Sequence, residues 1–183
     1  MARFMKGFEK GERKTFIISD DSLKSMKEKF FEAILPPLPI VGQLRLRSRD
    51  NRTLSELTVV PAQEPTTLTP FFLACLAELK AYLTGKSKTL SIPLDESDLT
   101  AFQLSVLGEM KKIPYGETRT YRNIAEALNT RGFQAVGSAC GKNPFLLLYP
   151  CHRVLGTNGP GGFAHGLSMK SQLLALEGLK LHN

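Results

Sequence analysis

The spacing of apolar residues in the first half of the chain predicts an alternation of strands and helices. Runs that alternate or are rich in β-branched residues predict strands, whereas apolar residues three or four positions apart predict helices. The predicted strands are Thr15–Ser19, Ile40–Leu46 and Leu54–Val60, and the predicted helices are Ser22–Leu35 and one that begins at Thr69-Pro70 and ends at Gly85. The turn signal Asp50-Asn51 separates the last two strands and indicates a hairpin.

The second half of the chain is predicted to be mainly helical. The predicted helices are Phe102–Ile113, Tyr121–Leu128, Phe133–Lys142 and a last helix that Ser168 caps. The apolar run Phe145–Tyr149 predicts a strand between the last two of these helices. The polar turn Asn129–Gly132 joins the second helix to the third, and this pair has the outline of a helix-turn-helix.

Composition indicates a soluble intracellular protein. The 183 residues are 42% hydrophobic and 22% charged, and no stretch approaches the roughly 18 consecutive apolar residues of a membrane span. The three cysteines, Cys75, Cys140 and Cys151, do not form a disulfide framework, so we expect a reducing compartment, cytoplasm or nucleus. No CxxC or HxxxH spacing occurs, so we expect no metal site.

The net charge of +7 is concentrated in the second half of the chain. Residues 1–100 hold 15 Lys and Arg against 13 Asp and Glu, whereas residues 101–183 hold 9 against 4, a net charge of +5. Such an asymmetry is typical of a surface that binds a polyanion. Simple solubility explains the same charge equally well, so both interpretations stay open at this point.

A chemically distinctive segment, Pro150–Val154, precedes the Gly-rich loop 156–166. It places the thiol of Cys151 beside the imidazole of His152 and the guanidinium of Arg153. Neighbouring cationic or proton-accepting groups lower a thiol pKa and so favour the nucleophilic thiolate. The alternative is that Cys151 is a small buried apolar residue, as most free cysteines are.

The predicted helix 133–142 has unusually small side chains. They are Ala135, Gly137, Ser138, Ala139 and Gly141. Each glycine costs a helix about 1 kcal/mol, so a compensating interaction is expected. Close approach to another backbone is such an interaction, either in tight internal packing or against the sugars of a DNA minor groove.

Several motifs together resemble the O6-alkylguanine-DNA alkyltransferase family. Pro150–Val154 resembles the active-site signature of that family, and the resemblance is specific over residues 98–180 but loose before them. The other matching segments are Ile113–Thr118 with Tyr121, Ala135–Gly137 through Lys142–Pro144, and Leu173-Leu174 through Glu177-Gly178. The resemblance implies an α+β protein with two domains. Residues 1–97 would form a small ribonuclease-H-like α/β supporting domain, and residues 98–183 a winged helix-turn-helix-like domain that binds DNA and accepts the alkyl group.

The resemblance implies direct-reversal repair of double-stranded DNA that carries alkylated bases. The damaged base rotates out of the duplex, and its alkyl group passes irreversibly from guanine O6 to the sulfur of Cys151. It further implies that His152 takes the thiol proton through a water and that Glu177 orients the imidazole. Tyr121 would donate a proton to the guanine ring, and Asn143 would tie the recognition helix to the active-site segment. We expect a monomer that uses no cofactor, and the sequence does not separate O6-alkylguanine from O4-alkylthymine as substrate.

The resemblance also implies a DNA-binding surface and a substrate pocket. The expected DNA contacts are Tyr121, Arg131, Gln134, Ala135, Ser138 and Arg153, and the expected pocket residues are Pro150, Val154, Phe163 and His165. Three positions depart from the family pattern. Gln134 replaces an arginine that fills the gap left by the rotated base, Phe163 replaces a tyrosine, and His165 replaces a bulky aromatic residue. The substitutions predict weaker base extrusion, or help from Arg131, and an altered range of alkyl groups.

Two other functions compete with alkyl transfer. A non-catalytic sensor of alkylated DNA, of the alkyltransferase-like type, would replace the nucleophile with another residue, whereas Cys151 is present. An unrelated cysteine hydrolase would share the Cys-His pair but would leave the basic helix-turn-helix and the small-residue helix unexplained.

Overall fold

The structure, a computed structural model, describes residues 30–180 in full and the backbone of residues 3–9 and 12–18. The chain forms two compact units, Met1–Phe30 and Phe31–Asn183. In the first unit, strands β1 (Arg3–Glu9) and β2 (Glu12–Ile18) pair antiparallel. The predicted strand 15–19 is confirmed as far as Ile18. The predicted boundary at residues 97 and 98 lies inside the second unit.

A three-stranded antiparallel sheet opens the second unit. Its strands are β3 (Phe31–Ile34), β4 (Gln43–Ser48) and β5 (Glu56–Val60), in the order β3-β4-β5. The predicted hairpin is confirmed, because Leu44 pairs with Val59 and Leu46 with Leu57. Leu44, Leu46 and Leu57 are fully buried, as the alternation of apolar residues requires.

The predicted helix Ser22–Leu35 is wrong at its C-terminal end. Residues 31–34 form β3, where Ala33 pairs with Leu46 and Ile34 with Arg45. Pairing with a hairpin already present in the sheet outweighs the helical spacing of a few apolar residues. Residues 22–29 of that prediction lie outside the described residues.

The first described helix, α1 (Pro70–Leu83), begins and ends where the sequence predicts. Thr69 caps its N-terminus by accepting a hydrogen bond from the backbone N–H of Phe72, and Gly85 follows its C-terminus at φ 71°. The buried face of α1 joins one hydrophobic cluster with the sheet and with segments from the second half of the chain. That cluster includes Leu44, Leu46, Phe72, Leu79, Tyr82, Leu146, Leu147 and Leu173.

Four further helices and a short strand pair complete the fold. They are α2 (Ala101–Lys111), α3 (Tyr121–Ala127), α4 (Phe133–Gly141) and α5 (Leu167–Leu176), with β6 (Arg119–Thr120) parallel to β7 (Val154–Leu155). A second cluster packs α2, α3 and α4 together, and Cys151 lies within it. The β6–β7 pairing brings the start of α3 next to the segment that follows Cys151, and so assembles the site. None of the helices described over residues 30–180 is long and apolar enough to span a membrane.

Two predictions in the second half are wrong. Residues 145–149 form a turn with isolated bridges instead of a strand, because Leu147 adopts a left-handed conformation (φ 71°) that ends any extended run. Ser168 does not cap the last helix. The N-cap is Gly166 at φ 87°, so Ser168 lies in the first turn of α5.

Candidate active site

The thiol of Cys151 lies at the start of a 3-10 turn, Cys151–Arg153, that connects the 145–149 turn to β7. The residue is 9% exposed, and its backbone N–H donates to the carbonyl of Tyr149 at 2.8 Å. Burial raises the pKa of the Cys151 thiol, although the Asn143 side-chain amide, 3.5 Å from Sγ, acts in the opposite direction. The thiol is therefore protonated at rest, and a base must remove its proton before it can attack.

His152, the residue after Cys151, forms a buried pair with Glu177 at the end of α5. Nε2 of His152 lies 2.7 Å from Oε1 of Glu177, and both side chains are fully buried. Burial lowers the pKa of His152, although Glu177 raises it, so the imidazole is neutral and donates Nε2–H to the carboxylate. Nδ1 hydrogen-bonds to no described side chain or backbone group, which leaves it as a proton acceptor.

The carboxylate of Glu177 is held by donors from three parts of the chain. Arg153 donates Nε to Oε2 at 2.9 Å and Nη2 to Oε1 at 3.0 Å, and the backbone N–H of Gly116 reaches Oε2 at 3.1 Å. Tyr82 donates its hydroxyl to Oε1 at 2.7 Å. Burial alone would raise the pKa of Glu177, but hydrogen bonds from His152, Arg153 and Tyr82 outweigh it and lower the pKa to about 2. The acid is ionised throughout the physiological range.

Arg153, which we expected among the DNA contacts, lies inside the protein. Its guanidinium is buried, and besides Glu177 it donates to the carbonyl of Ile113 at 2.6 Å and to the hydroxyl of Tyr82 at 3.1 Å. The guanidinium is therefore engaged inside the protein and is not presented at the surface as a DNA contact. Arg153 instead supplies the counter-charge that keeps Glu177 ionised.

Asn143 links the end of α4 to the nucleophile. Its Nδ2 donates to the carbonyl of Tyr149 at 2.8 Å and lies 3.5 Å from Sγ of Cys151, while its Oδ1 accepts from the backbone N–H of Phe145 at 3.0 Å. One side chain therefore fixes the 145–149 turn and contacts the thiol.

A cavity of about 130 Å³ opens in front of Cys151. Its walls come from α3, α4 and the loop after β7, and they are formed by Tyr121, Gly137, Cys140, Gly141, Cys151, Gly162, Phe163 and Ala164. The hydroxyl of Tyr121 donates to the carbonyl of Gly162 at 3.1 Å across one side of this cavity. The small residues of α4 therefore leave space beside the nucleophile.

Comparisons with known proteins agree with this arrangement. A family model described as 6-O-methylguanine DNA methyltransferase, DNA binding domain, matches residues 101–179. The methylated-DNA–protein-cysteine methyltransferase of Saccharolobus islandicus is 42% identical over 120 residues, which cover 66% of this chain and 76% of that protein. The chain belongs to the methylated-DNA–protein-cysteine methyltransferase family. A relative from Methanosarcina acetivorans with the same name is 46% identical over 110 residues, 59% of this chain and 70% of that protein.

A solved structure of the same family has a similar fold. A crystal structure of Mycobacterium tuberculosis OGT in complex with DNA matches this fold with a TM-score of 0.69 at 33% sequence identity. The match covers 80% of this chain and 91% of that one. The mixed α/β architecture, with its small antiparallel sheet and helices, is therefore that of the OGT structures.

The loop beside the cavity requires a glycine where it crosses Tyr121. Gly161 has φ 67°, and a Cβ at this position would lie 2.7 Å from the backbone nitrogen of Gly156 and 2.9 Å from Cε2 of Tyr121. Both distances are too short for any side chain. The close approach of the loop to Tyr121 therefore depends on Gly161.

The other predicted pocket residues lie around this loop. Val154 is fully buried, Phe163 forms part of the cavity wall, and His165 packs edge to face on Phe163 with ring centroids 5.6 Å apart. Pro150 caps the 3-10 turn that carries the nucleophile. The predicted DNA contacts on α4 and the turn before it are exposed, namely Arg131, Gln134, Ala135 and Ser138.

Sequence reasoning missed two polar residues of the site, Lys170 and Tyr82. Lys170 is fully buried and donates to the carbonyls of Val154 at 2.6 Å, Pro160 at 2.6 Å and Gly162 at 3.1 Å. Burial lowers its pKa to about 8. Helical spacing places Lys170 on the same face of α5 as the buried Leu173 and Leu174, and this was the signal that could have identified it.

Proposed function

We propose that this protein repairs alkylated DNA by direct reversal. Cys151 attacks the alkyl carbon of an O6-alkylguanine, so that a sulfur–carbon bond forms as the carbon–O6 bond breaks. The thioether product is stable, and each molecule acts once. The observation that carries this proposal is the position of Cys151 in the cavity wall with the His152–Glu177 pair beside it.

The proton that leaves Cys151 passes to Nδ1 of His152, through a bridging water. Glu177 then stabilises the imidazolium that forms, because its Oε1 already accepts Nε2–H at 2.7 Å. Tyr121 donates a proton to the ring of the departing guanine, which neutralises the charge left on the base. Its position at the cavity wall supports this role.

We infer that residues 98–183 carry both DNA binding and alkyl transfer. In this proposal α3 and α4 act as a winged helix-turn-helix-like unit, and residues 1–97 form a ribonuclease-H-like support. The exposed positions of Arg131, Gln134, Ala135 and Ser138 support DNA docking along α4. The damaged base rotates from double-stranded DNA into the cavity, because a base inside the duplex cannot reach a buried thiol.

The cavity walls set the range of alkyl groups. Phe163 offers a stacking face without the hydroxyl of a tyrosine, and His165 supports that ring from its edge. Val154 and Pro150 fix the backbone on the other side of Cys151, where main-chain carbonyls meet the guanine amino group. We propose that O6-methylguanine is the main substrate and O4-alkylthymine a secondary one, and that a monomer acts without metal or cofactor.

One experiment tests the proposed function directly. The protein is incubated with a duplex oligonucleotide that carries one O6-methylguanine, and its intact mass and tryptic peptides are measured. We expect one added methyl group on Cys151, and none in the Cys151→Ala variant. Tight binding without transfer would instead indicate a damage sensor, and repeated turnover of an ester would indicate a hydrolase.

A further inference from the structure

We propose that Tyr82 is a positioning residue for alkyl transfer, through which the first half of the chain sets the basicity of His152. The inference rests on the proposed function, since it concerns the same proton transfer. Tyr82 belongs to α1 and lies outside the segment 101–179 that matches the family model.

The geometry places Tyr82 and His152 on the same carboxylate oxygen. The hydroxyl of Tyr82 lies 2.7 Å from Oε1 of Glu177, and Nε2 of His152 lies 2.7 Å from that same atom. A hydrogen bond from the Tyr82 hydroxyl partly neutralises the negative charge on Oε1, so this oxygen attracts the imidazole proton less strongly. Tyr82 therefore weakens the pull of Glu177 on the imidazole proton.

The hydroxyl of Tyr82 is fixed in this position. The residue is 2% exposed, lies in the hydrophobic cluster of the sheet and α1, and packs edge to face on Tyr115 with ring centroids 5.9 Å apart. It also accepts a hydrogen bond from Nη2 of Arg153 at 3.1 Å. Burial raises the pKa of Tyr82, so the hydroxyl remains a donor at every pH at which the protein works.

The groups that act on this carboxylate come from several elements. Tyr82 of α1, the backbone N–H of Gly116, and His152 and Arg153 of the 3-10 turn hydrogen-bond to it. Lys170 of α5 lowers the pKa of His152, and Glu177 raises the pKa of Tyr115 in the turn before β6. Tyr115 offers a matched control. Its hydroxyl donates to the carbonyl of Leu176 at 2.8 Å and makes no hydrogen bond to the Glu177 carboxylate.

Tyr82→Phe removes one hydroxyl and keeps the ring. Oε1 of Glu177 then keeps more of its negative charge and stabilises the imidazolium better. The pKa of His152 therefore rises, and His152 loses its proton only at higher pH. We expect the acid limb of the rate–pH profile to move up by about half a pH unit. Replacing Tyr82 with 3-fluorotyrosine, a stronger hydrogen-bond donor of nearly the same shape, should move the acid limb to lower pH.

The experiment measures the second-order rate of methyl transfer from a single-stranded oligonucleotide with O6-methylguanine, from about pH 5 to about pH 8. The proteins are the wild type, Tyr82→Phe, Tyr115→Phe and the 3-fluorotyrosine protein, each with its thermal midpoint. Opposite shifts of the limb for the two changes at Tyr82, with none for Tyr115→Phe, support the inference.

The inference is overturned if the rate–pH profiles of both Tyr82 proteins superpose on that of the wild type. This holds even if Tyr82→Phe is slower or has a lower thermal midpoint. Should Tyr82→Phe fail to fold, the 3-fluorotyrosine protein decides alone, because its hydroxyl and packing are retained. Absence of transfer by the wild type would overturn the proposed function itself, which is a separate outcome.

Discussion

The buried carboxylate of Glu177 should contribute stability as well as reactivity, and Glu177→Gln measures that contribution. The change keeps the shape of the side chain and removes its charge. It leaves the guanidinium of Arg153, which is 8% exposed, without its counter-ion. Removing one partner of a buried ion pair costs about 3–5 kcal/mol.

The pKa of the acid gives a second value for the same quantity. Its fall from 4.5 to about 2 in the folded protein corresponds to about 3 kcal/mol of stability at neutral pH. The folded pKa lies below the unfolded one, so the unfolded chain binds the proton first as pH falls. This stability is therefore fully present above pH 4.5 and is lost as pH falls towards 2.

Urea denaturation followed by circular dichroism, at about pH 7 and about pH 3, tests both statements. We expect Glu177→Gln to unfold about 3 kcal/mol more easily than the wild type at the higher pH, with a smaller difference at the lower pH. Glu117→Gln, a change at an exposed acid, is the control and should have little effect. A difference below about 1 kcal/mol at neutral pH, or one that does not narrow in acid, would refute the reasoning.

Three further substitutions test the cavity and the DNA surface. Tyr121→Phe should slow methyl transfer about 100-fold in single-turnover assays, because the proton donor of the proposed mechanism is lost together with the hydrogen bond to the carbonyl of Gly162. Lys170→Met leaves three carbonyls without their donor, so we expect slower transfer and a free energy of unfolding lower by about 2 kcal/mol, measured in urea. Gln134→Arg should raise the rate on duplex DNA relative to single-stranded DNA, and an unchanged ratio would contradict a role for Gln134 in base extrusion.

Helices α2, α3 and α4 could be predicted closely because their signals are local. Thr120 caps α3 through a capping box with Asn123, and the polar turn before Phe133 separates α3 from α4. The His152–Glu177 pair could be predicted only through the family resemblance. Glu177 lies 25 residues from His152 in sequence, and no local pattern indicates that α5 folds back on the 3-10 turn.

The errors at β3 and at the 145–149 turn share one physical cause, which is long-range packing. Strand β3 forms because β4 lies beside it, and the 145–149 turn forms because Asn143 and a bridge from Leu57 to Phe145 hold it. The same cause explains why Arg153, an expected DNA contact, lies in the interior and binds Glu177. Helical periodicity identifies a buried face, but it does not show which polar residue on that face finds a partner.

The electrostatics of the site suit a protein that reacts once. Burial raises the pKa of Cys151 and lowers that of His152, so the resting pair is neutral. A protonated thiol is a poor nucleophile and resists oxidation, which matters because a molecule that loses its thiol cannot be regenerated by turnover. In the proposed mechanism the positive charge appears on His152, next to a carboxylate that Arg153 already holds ionised. In that mechanism the thiol loses its proton only for the attack on the alkyl carbon, and before it Cys151 keeps the less reactive, protonated form.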